Sequence, residues 1–421
     1  MSDVHTTGDE CTSSESIALI VGPGDRFLSG ISYYTALLTT ALAQQRPVAL
    51  LQLRKLCPRF IYPGRARVGC TDGMLPLLQV PTFNGLDWYW GPSALAAYRF
   101  WRRTGPKVLI LQWWTGTVLH SYLALAVLAK WSDARLVIEF HEVQDVGEAR
   151  WSLVRRLTRA GMGYVLHRAD AVVVHSEYDR REICGIYPYV AGVPIEVIPH
   201  GPYRNHAGFT DSCGRGAKVS GAPRSSPRSE GPVRLLTFGV VRPYKGHAEL
   251  AEAVRSLTRS GLDLHVSVVG EVWQGYRRPL DELAKILPAD RLTVVDRYVD
   301  DADVPAFFAA ADMVVLPYRR SSASGPLHIA MSCGLPVVTT AVGGLAEAAA
   351  DYTGAVLVRP EDPVSLAEGI REALPLLGRT HADPHSWTRT AQRYAALLEH
   401  IGAGSARAAE SVELAIPGGV A

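Results

Sequence analysis

Phe238-Gly239-Val240-Val241-Arg242-Pro243-Tyr244-Lys245-Gly246-His247, preceded by Val233-Arg234-Leu235-Leu236-Thr237, is the stretch that decides the fold. An apolar run ends at a glycine, two cations stand three positions apart, and a second glycine opens a helical pattern from Ala248 to Leu257. That order predicts a buried strand, a tight loop and a helix N-terminus. Helix N-termini attract anions through free backbone N–H groups and the positive end of the helix dipole. Arg242 adds a planar fork suited to phosphate oxygens, and Lys245 a compact point charge. The plainer alternative is a strand–helix loop carrying two solvated cations.

The same alternation extends in both directions. Upstream, Ile17 to Gly22, Pro47 to Leu53, Val108 to Gln112, Leu136 to Phe140 and Ala171 to His175 are apolar runs of strand length. Helical patterns at Ser32 to Gln44, His120 to Trp131 and Trp151 to Arg168 lie between them. Downstream come Leu264 to Val269, Leu292 to Val295, Val304 to Ala311, Met313 to Leu316 and Pro336 to Thr340. Strands alternating with helices predict parallel sheets covered on both faces. Between the halves, Tyr203 to Pro232 is dense in Gly, Ser, Pro and Arg, the composition of a flexible linker. The expected division is a disordered tail 1–16, an N-terminal Rossmann-like domain 17–202, a linker 203–232, a C-terminal Rossmann-like domain 233–385, a helix 386–402 and a disordered tail 403–421. From Arg54 to Pro106, Pro, Gly and aromatic residues interrupt the pattern, and no elements are assigned.

Composition narrows the function. A chain of 421 residues exceeds one compact core, and 48% hydrophobic with 20% charged residues is that of a soluble globular protein. With 43 basic and 41 acidic residues the net charge is only +2, and no basic stripe is interleaved with aromatics, so nucleic acid is not expected as a partner. Six scattered cysteines without C-x-x-C spacing suggest free thiols in a reducing cytosol. Met1 to Ser16 is polar and acidic, unlike a signal peptide, and Val118 to Trp131 is too short to span a bilayer.

A second segment, Leu316-Pro317-Tyr318-Arg319-Arg320-Ser321-Ser322-Ala323-Ser324-Gly325-Pro326-Leu327-His328, reads as a strand end, a small-residue loop and a helix start. Small residues let backbone approach a ligand, and the helix directs its N-terminus at it. With Arg242 and Lys245 on the loop of another strand, one domain presents two phosphate-facing elements. A diphosphate site is expected there.

On these residues the chain resembles the family 4 glycosyltransferases of GT-B fold, two Rossmann-like α/β domains facing across a cleft. The resemblance is carried by Phe238-Gly239, Arg242-Pro243-Tyr244-Lys245-Gly246, Val268-Val269-Gly270-Glu271, Ala311-Asp312, Ser324-Gly325, Ala330-Met331, Gly334-Leu335-Pro336-Val337-Val338, and Val342-Gly343-Gly344 with Glu347. In the first half Ser29-Gly30-Ile31-Ser32, Leu111-Gln112-Trp113-Trp114, Phe140-His141-Glu142 and Ile198-Pro199-His200-Gly201 are similar to the branch with an Arg-x-Tyr-Lys-Gly loop. The resemblance implies a retaining hexosyltransferase. It would move a hexose from a nucleoside-diphosphate sugar to a glycan or lipid-linked acceptor in polysaccharide or glycoconjugate biosynthesis, with no metal or other cofactor.

By the same resemblance Arg242 and Lys245 hold the diphosphate, and His141 hydrogen-bonds a sugar hydroxyl or the departing phosphate. Gly30 lets the first domain close on the diphosphate. Gly239, Ser324 and Gly325 cradle phosphate and sugar, while Glu271, Tyr298 and Val299 lie where the nucleoside binds. One departure stands out. Many members carry two glutamates eight positions apart before the Ala-Met pair, and the corresponding positions here are Ser321 and Ile329. Ser321, Ser324 and His328 are the candidate substitutes. The departure opens an alternative, a non-catalytic sugar-nucleotide-binding partner of a transferase; a nucleotide-sugar epimerase of the same fold is a further one.

Two basic clusters, Tyr98-Arg99-Phe100-Trp101-Arg102-Arg103 and the Arg150, Arg155, Arg156, Arg159 set, could bring the first domain to anionic lipid, although charged helix faces are more often simply solvated. The expected location is the cytoplasm, with peripheral contact to the inner face of the cell membrane.

Overall fold

The computed structural model describes residues 17–24, 30–55, 79–142, 152–203, 231–300 and 303–413. The expected tail 1–16 and nearly all of the expected linker 203–232 lie outside them.

The first half contains β1 (Ala18–Pro23), α1 (Gly30–Leu42), β2 (Val48–Lys55), β3 (Thr82–Asp87), α2 (Pro92–Thr104), β4 (Val108–Trp113), α3 (Leu119–Trp131), β5 (Arg135–Phe140), α4 (Ser152–Leu166), β6 (Ala171–Val174), α5 (Glu177–Ile186) and β7 (Ile195–Val197). Its seven strands are all parallel, in the order β3-β2-β1-β4-β5-β6-β7. Successive residues of β1 serve opposite faces: Leu19 and Val21 enter one core, Ala18 and Ile20 the other. Both faces are covered, so the strand is apolar throughout instead of alternating with polar residues. In the stretch without sequence assignments the structure adds β3 and α2. On α2, Phe100 and Trp101 are buried and Tyr98 is exposed, so two of the three aromatics in that basic cluster serve the core and are withdrawn from any membrane surface.

The second half contains β8 (Val233–Phe238), α6 (His247–Arg259), β9 (Leu264–Val269), α7 (Arg278–Ile286), β10 (Leu292–Val295), α8 (Val304–Ala310), β11 (Met313–Leu316), α9 (Gly325–Ser332), β12 (Val337–Thr340), α10 (Gly343–Ala349), β13 (Ala355–Val358), α11 (Pro363–Ala373) and α12 (Trp387–Glu413). Six parallel strands run in the order β10-β9-β8-β11-β12-β13. In each sheet the order reverses beside its first strand, between β1 and β4 and between β8 and β11. Ligands of open α/β sheets bind in the crevice at the carboxyl ends of strands at such a reversal.

Two boundaries differ from the sequence reading. Helix α12 runs to Glu413, beyond 402, because Ala403, Ala406, Arg407, Ala408, Ala409 and Glu410 are strong helix formers. This helix also joins the first domain: Tyr394, Leu397, Leu398 and Ile401 share a core with Ile20, Tyr34 and Leu38. The Trp387 indole N–H donates to the Pro202 carbonyl at 2.7 Å and the Thr390 hydroxyl to Pro199 at 3.1 Å, pinning the helix to the end of that domain. Tyr203, counted with the linker, is buried, and its hydroxyl donates to the Gly30 carbonyl at 2.9 Å.

Candidate active site

The loop after β8 is a 3-10 turn, Pro243–Lys245, closed by Gly246 at φ 71. Only glycine fits there, because a Cβ would fall on the Pro317 carbonyl in addition to the left-handed backbone. That close approach seats the loop against the loop following β11. Arg319 locks the two together: its backbone N–H donates to the Tyr244 carbonyl at 2.8 Å and its guanidinium to Glu249 at 2.8 Å. The two phosphate-facing elements expected from sequence are therefore neighbours, one on each side of the β8/β11 reversal.

Lys245 Nζ lies 3.6 Å from the centroid of the Tyr318 ring, and the Arg242 guanidinium 4.2 Å from that of Trp273. Such cation–π contacts hold a cation in place without neutralising it. The Arg242 Nε is buried and has no hydrogen-bond partner among the described residues. Burial pushes the Lys245 ammonium down to about 8; the Arg242 charge adds to the fall, while Tyr244 and Glu142 oppose it. Glu142 stands just after β5, on the first domain. His247 sits beneath the turn, neutral, with burial holding it at about 3.

Across the crevice, Ser324 caps α9, its hydroxyl accepting from the Leu327 N–H at 3.4 Å. Gly239 lies near Pro326 in the first turn of α9: a Cβ built on it would be 3.7 Å from the proline ring. Gly270 packs directly on the Gly239 backbone, and the Val241 N–H donates to the Glu271 carbonyl at 2.9 Å, which draws Glu271 to the same loop. The structure thus gathers Gly239, Arg242, Lys245, Glu271, Ser324 and Gly325 at one strand reversal. Val299 differs: its side chain belongs to the core with Val304 and Phe308, leaving only its backbone for a ligand. The Tyr298 carbonyl accepts from Arg297 at 3.1 Å. The Ser321 hydroxyl donates to the Ala323 carbonyl at 2.8 Å, and Ile329 is buried, so neither position supplies a carboxylate.

His328 is buried at the domain interface, where its ring stacks on His200 of the first domain at 4.6 Å. A cavity of about 230 Å³ opens beside this pair, lined by residues of both domains including His175, Ser324, Glu347 and His385. The Glu347 carboxylate crosses the interface and accepts from the Glu177 and Tyr178 N–H groups at 2.6 and 2.8 Å, filling the N-terminus of α5. Gly30 opens α1 at the first sheet's own reversal, exposed at its Cα and tied to Tyr203 through its carbonyl.

His141 ends β5 as expected, and burial, with His175 and His200 nearby, holds it well below the usual histidine range, hence neutral. Its partners were missed from sequence. Glu139 is fully buried in the same strand, its Oε1 3.6 Å from His175 Nε2, and His175 Nε2 is 3.2 Å from His141 Nδ1. The signal was a charged residue in an otherwise apolar strand, Leu136 to Phe140. Ligand atoms of these three residues lie within 4.8 Å of one another, a spacing that could also take a cation. An Asp-x-Asp spacing does occur, at Asp301-Ala302-Asp303; only Asp303 is described, and it pairs with Arg297 at 3.5 Å.

Comparison with known proteins agrees with this architecture. Residues 28–202 match the family Glycosyltransferase Family 4, and residues 232–375 match Glycosyl transferases group 1. A D-inositol 3-phosphate glycosyltransferase of Salinispora tropica is 35% identical over 250 residues, 55% of this chain and 51% of that protein. A GDP-mannose:glycolipid 4-beta-D-mannosyltransferase of Xanthomonas campestris pv. campestris is 36% identical over 107 residues, 25% of this chain and 30% of that protein. The chain thus spans about half the length, or less, of these curated relatives. Sucrose-phosphate synthase from Thermosynechococcus elongatus shares the fold at a TM-score of 0.59 and 20% identity, covering 96% of this chain and 100% of that one. With both halves matched in order and a GT-B arrangement of two parallel sheets, the chain belongs to the family 4 glycosyltransferases.

Proposed function

We propose that the protein transfers a hexose from a nucleoside-diphosphate sugar, with retention of configuration, to a glycan or lipid-linked acceptor. The observation that carries this is the pairing of Arg242 and Lys245 with the N-terminus of α9 at one strand reversal. Negative charge accumulates on the departing diphosphate, and fixed cations with oriented N–H groups stabilise it more in the transition state than in the ground state. The relatives named for inositol phosphate and glycolipid acceptors support an acceptor that carries phosphate or lipid. No bound metal is required in this reading, since the two cations neutralise the leaving group. No helix among the described residues is long and apolar enough to cross a membrane. Exposed Leu157 between Arg156 and Arg159 on α4 is the surface left for peripheral contact with anionic lipid at the cytoplasmic face.

A thermal-shift screen of UDP- and GDP-sugars tests the donor. One nucleotide class should stabilise the protein, and Lys245→Ala should abolish that effect. If no nucleotide or nucleotide sugar raises the melting temperature, the proposal fails. Ser321 and Ile329 in place of the family's glutamates favour a second reading, sugar-nucleotide binding without transfer. Neither donor hydrolysis nor transfer across a broad acceptor panel, despite tight binding, would select it.

A further inference from the structure

The loop that leads into α9 carries no charged side chain from Ser321 to Gly325, so its backbone is what it can offer an anion. The position of that backbone is set by α10, whose first residues are Gly343 and Gly344. The Gly344 N–H donates to the Ser321 carbonyl at 3.2 Å. A Cβ on Gly343 would fall on that same carbonyl, and one on Gly344 on the carbonyl of Ser322. Gly343 also takes φ 50, a backbone that L side chains resist. Contact this close fixes the 321–324 loop to α10.

One turn further along, α10 is fixed to the first domain. The Glu347 carboxylate accepts from the Glu177 N–H at 2.6 Å and the Tyr178 N–H at 2.8 Å. These residues open α5, and such N–H groups have no partner within their own helix. A carboxylate placed there meets two free donors and the positive end of the helix dipole. The Arg181 guanidinium, also on α5, stands 3.7 Å from the same carboxylate. A second contact crosses at this junction. Asp179 of α5 accepts from the Ser176 hydroxyl at 2.6 Å; burial pushes its carboxyl up to about 6, and the Ser176 and Ser322 hydroxyls oppose the rise. Helix α5 follows β6, which pairs with β5, the strand that leads into His141. Glu347 therefore joins the loop at α9 to the part of the first domain that carries His141.

We propose that Glu347 is a positioning residue: through α10 it holds the 321–324 loop and the N-terminus of α9 in register with the first domain, so that phosphate binding by the second domain depends on a contact with the first. Glu347 acts through that loop. The choice of ligand rests on the proposed donor reading; the tie between loop and domain does not.

Two variants cut the tie from opposite sides. Glu347→Gln sets an amide N–H against one of the two donors. Glu177→Pro removes the other partner at the first position of α5, where proline is tolerated, and Ser176 before it is already extended at φ −149 and ψ 159. The exposed Glu177–Arg180 pair lost with it is worth little. With folding checked by melting curves, hydrogen exchange of the ligand-free full chain should quicken in peptides covering 321–328 and 342–348. Peptides from β4 and β8 should not change. Calorimetric titration with UDP and GDP reads the consequence: for whichever binds the wild type, the dissociation constant should rise ~3–10-fold in each variant. The double variant should bind no worse than the weaker single, because both substitutions cut one contact. Unchanged exchange in those peptides of the folded variants overturns the proposal. So do wild-type affinities in both single variants, or losses that add in the double. If the wild type binds neither nucleotide, the donor reading falls, and the exchange result still decides the tie.

Discussion

Lys245 makes the proposed phosphate site sensitive to alkaline pH. Burial holds its ammonium at about 8, so without ligand about nine-tenths of the molecules carry the charge at pH 7 and about one-tenth at pH 9. The nucleotide phosphates change little over this range, from about nine-tenths to fully ionised, their last pKa being near 6. If the protonated lysine is the form that binds, the dissociation constant for UDP or GDP should rise about tenfold from pH 7 to pH 9, or ~1.4 kcal/mol. Binding at pH 9 should draw a proton from buffer, approaching one per nucleotide. Isothermal titration calorimetry in buffers of different ionisation enthalpy reads both quantities. Lys245→Ala should bind weakly and without pH dependence. Folding responds with the opposite sign: the folded pKa lies below the unfolded value of about 10.4, so the unfolded chain binds more protons between about 8 and 10.4, and stability rises across that window. An unchanged affinity from pH 7 to pH 9 in the wild type would refute the placement of Lys245 on the phosphates.

Other perturbations test the frame around that site. Gly246→Ala meets both a left-handed backbone and the Pro317 carbonyl, so it should cost about 2–4 kcal/mol in urea melts and abolish nucleotide binding; a silent variant would contradict the loop geometry. Glu347→Gln removes the charge that crosses the interface to the N-terminus of α5, and a loss of about 1–2 kcal/mol is expected by the same measurement. Asp179, on α5, is pushed up by burial to about 6, above the unfolded value of about 3.9. The folded chain therefore binds more protons between those values, and stability falls as pH rises from about 4 to 6. Asp179→Asn should flatten that slope and be the more stable protein at pH 8, by about 1–3 kcal/mol; equal slopes in chemical melts at pH 4, 6 and 8 would remove the burial argument.

Strands were the most legible part of the chain. Val233 to Phe238, Leu264 to Val269, Leu292 to Val295 and Met313 to Leu316 coincide with β8, β9, β10 and β11, because strands buried on both faces are short, uninterrupted apolar runs between loop signals. The loop between β8 and α6 was legible for a related reason: glycines at a strand end mark a tight turn, and it closes at Gly246 as the spacing predicts. β3 and α2 escaped because their apolar residues are spaced among glycine, proline and exposed aromatics. The run Val118 to Trp131 was easy to place, yet no local pattern tells which helix will face which domain. Hence the packing of α12 on the first domain, which depends on Tyr394 meeting Tyr34, could not be foreseen. His328, offered as a substitute for the missing glutamates, lies within α9, and its stacking on His200, a residue brought to it only by the meeting of two domains, was likewise out of reach of a local pattern.

Glu139 was hidden by the very rule that located its strand. Five of the six residues in β5 are buried, and an apolar reading absorbs a single carboxylate among them. Stability does not account for its presence, since a buried ion pair is commonly replaced by apolar residues at no cost or with a gain. The Gln112 amide, from the neighbouring strand β4, donates to its Oε2 at 3.3 Å, and His175 Nε2 stands 3.6 Å from its Oε1. Beyond His175 lies the His141 ring, 3.2 Å from it at Nδ1, whose Nε2 is buried without a hydrogen-bond partner among the described residues. In the proposed reaction Arg242 and Lys245 give the second domain fixed positive charge where negative charge develops. The first domain presents His141, held neutral by burial, and in that reaction a neutral group suits the position: a third cation would compete for the phosphates, whereas an uncharged ring leaves the electrostatics of departure to the loop that began at Phe238.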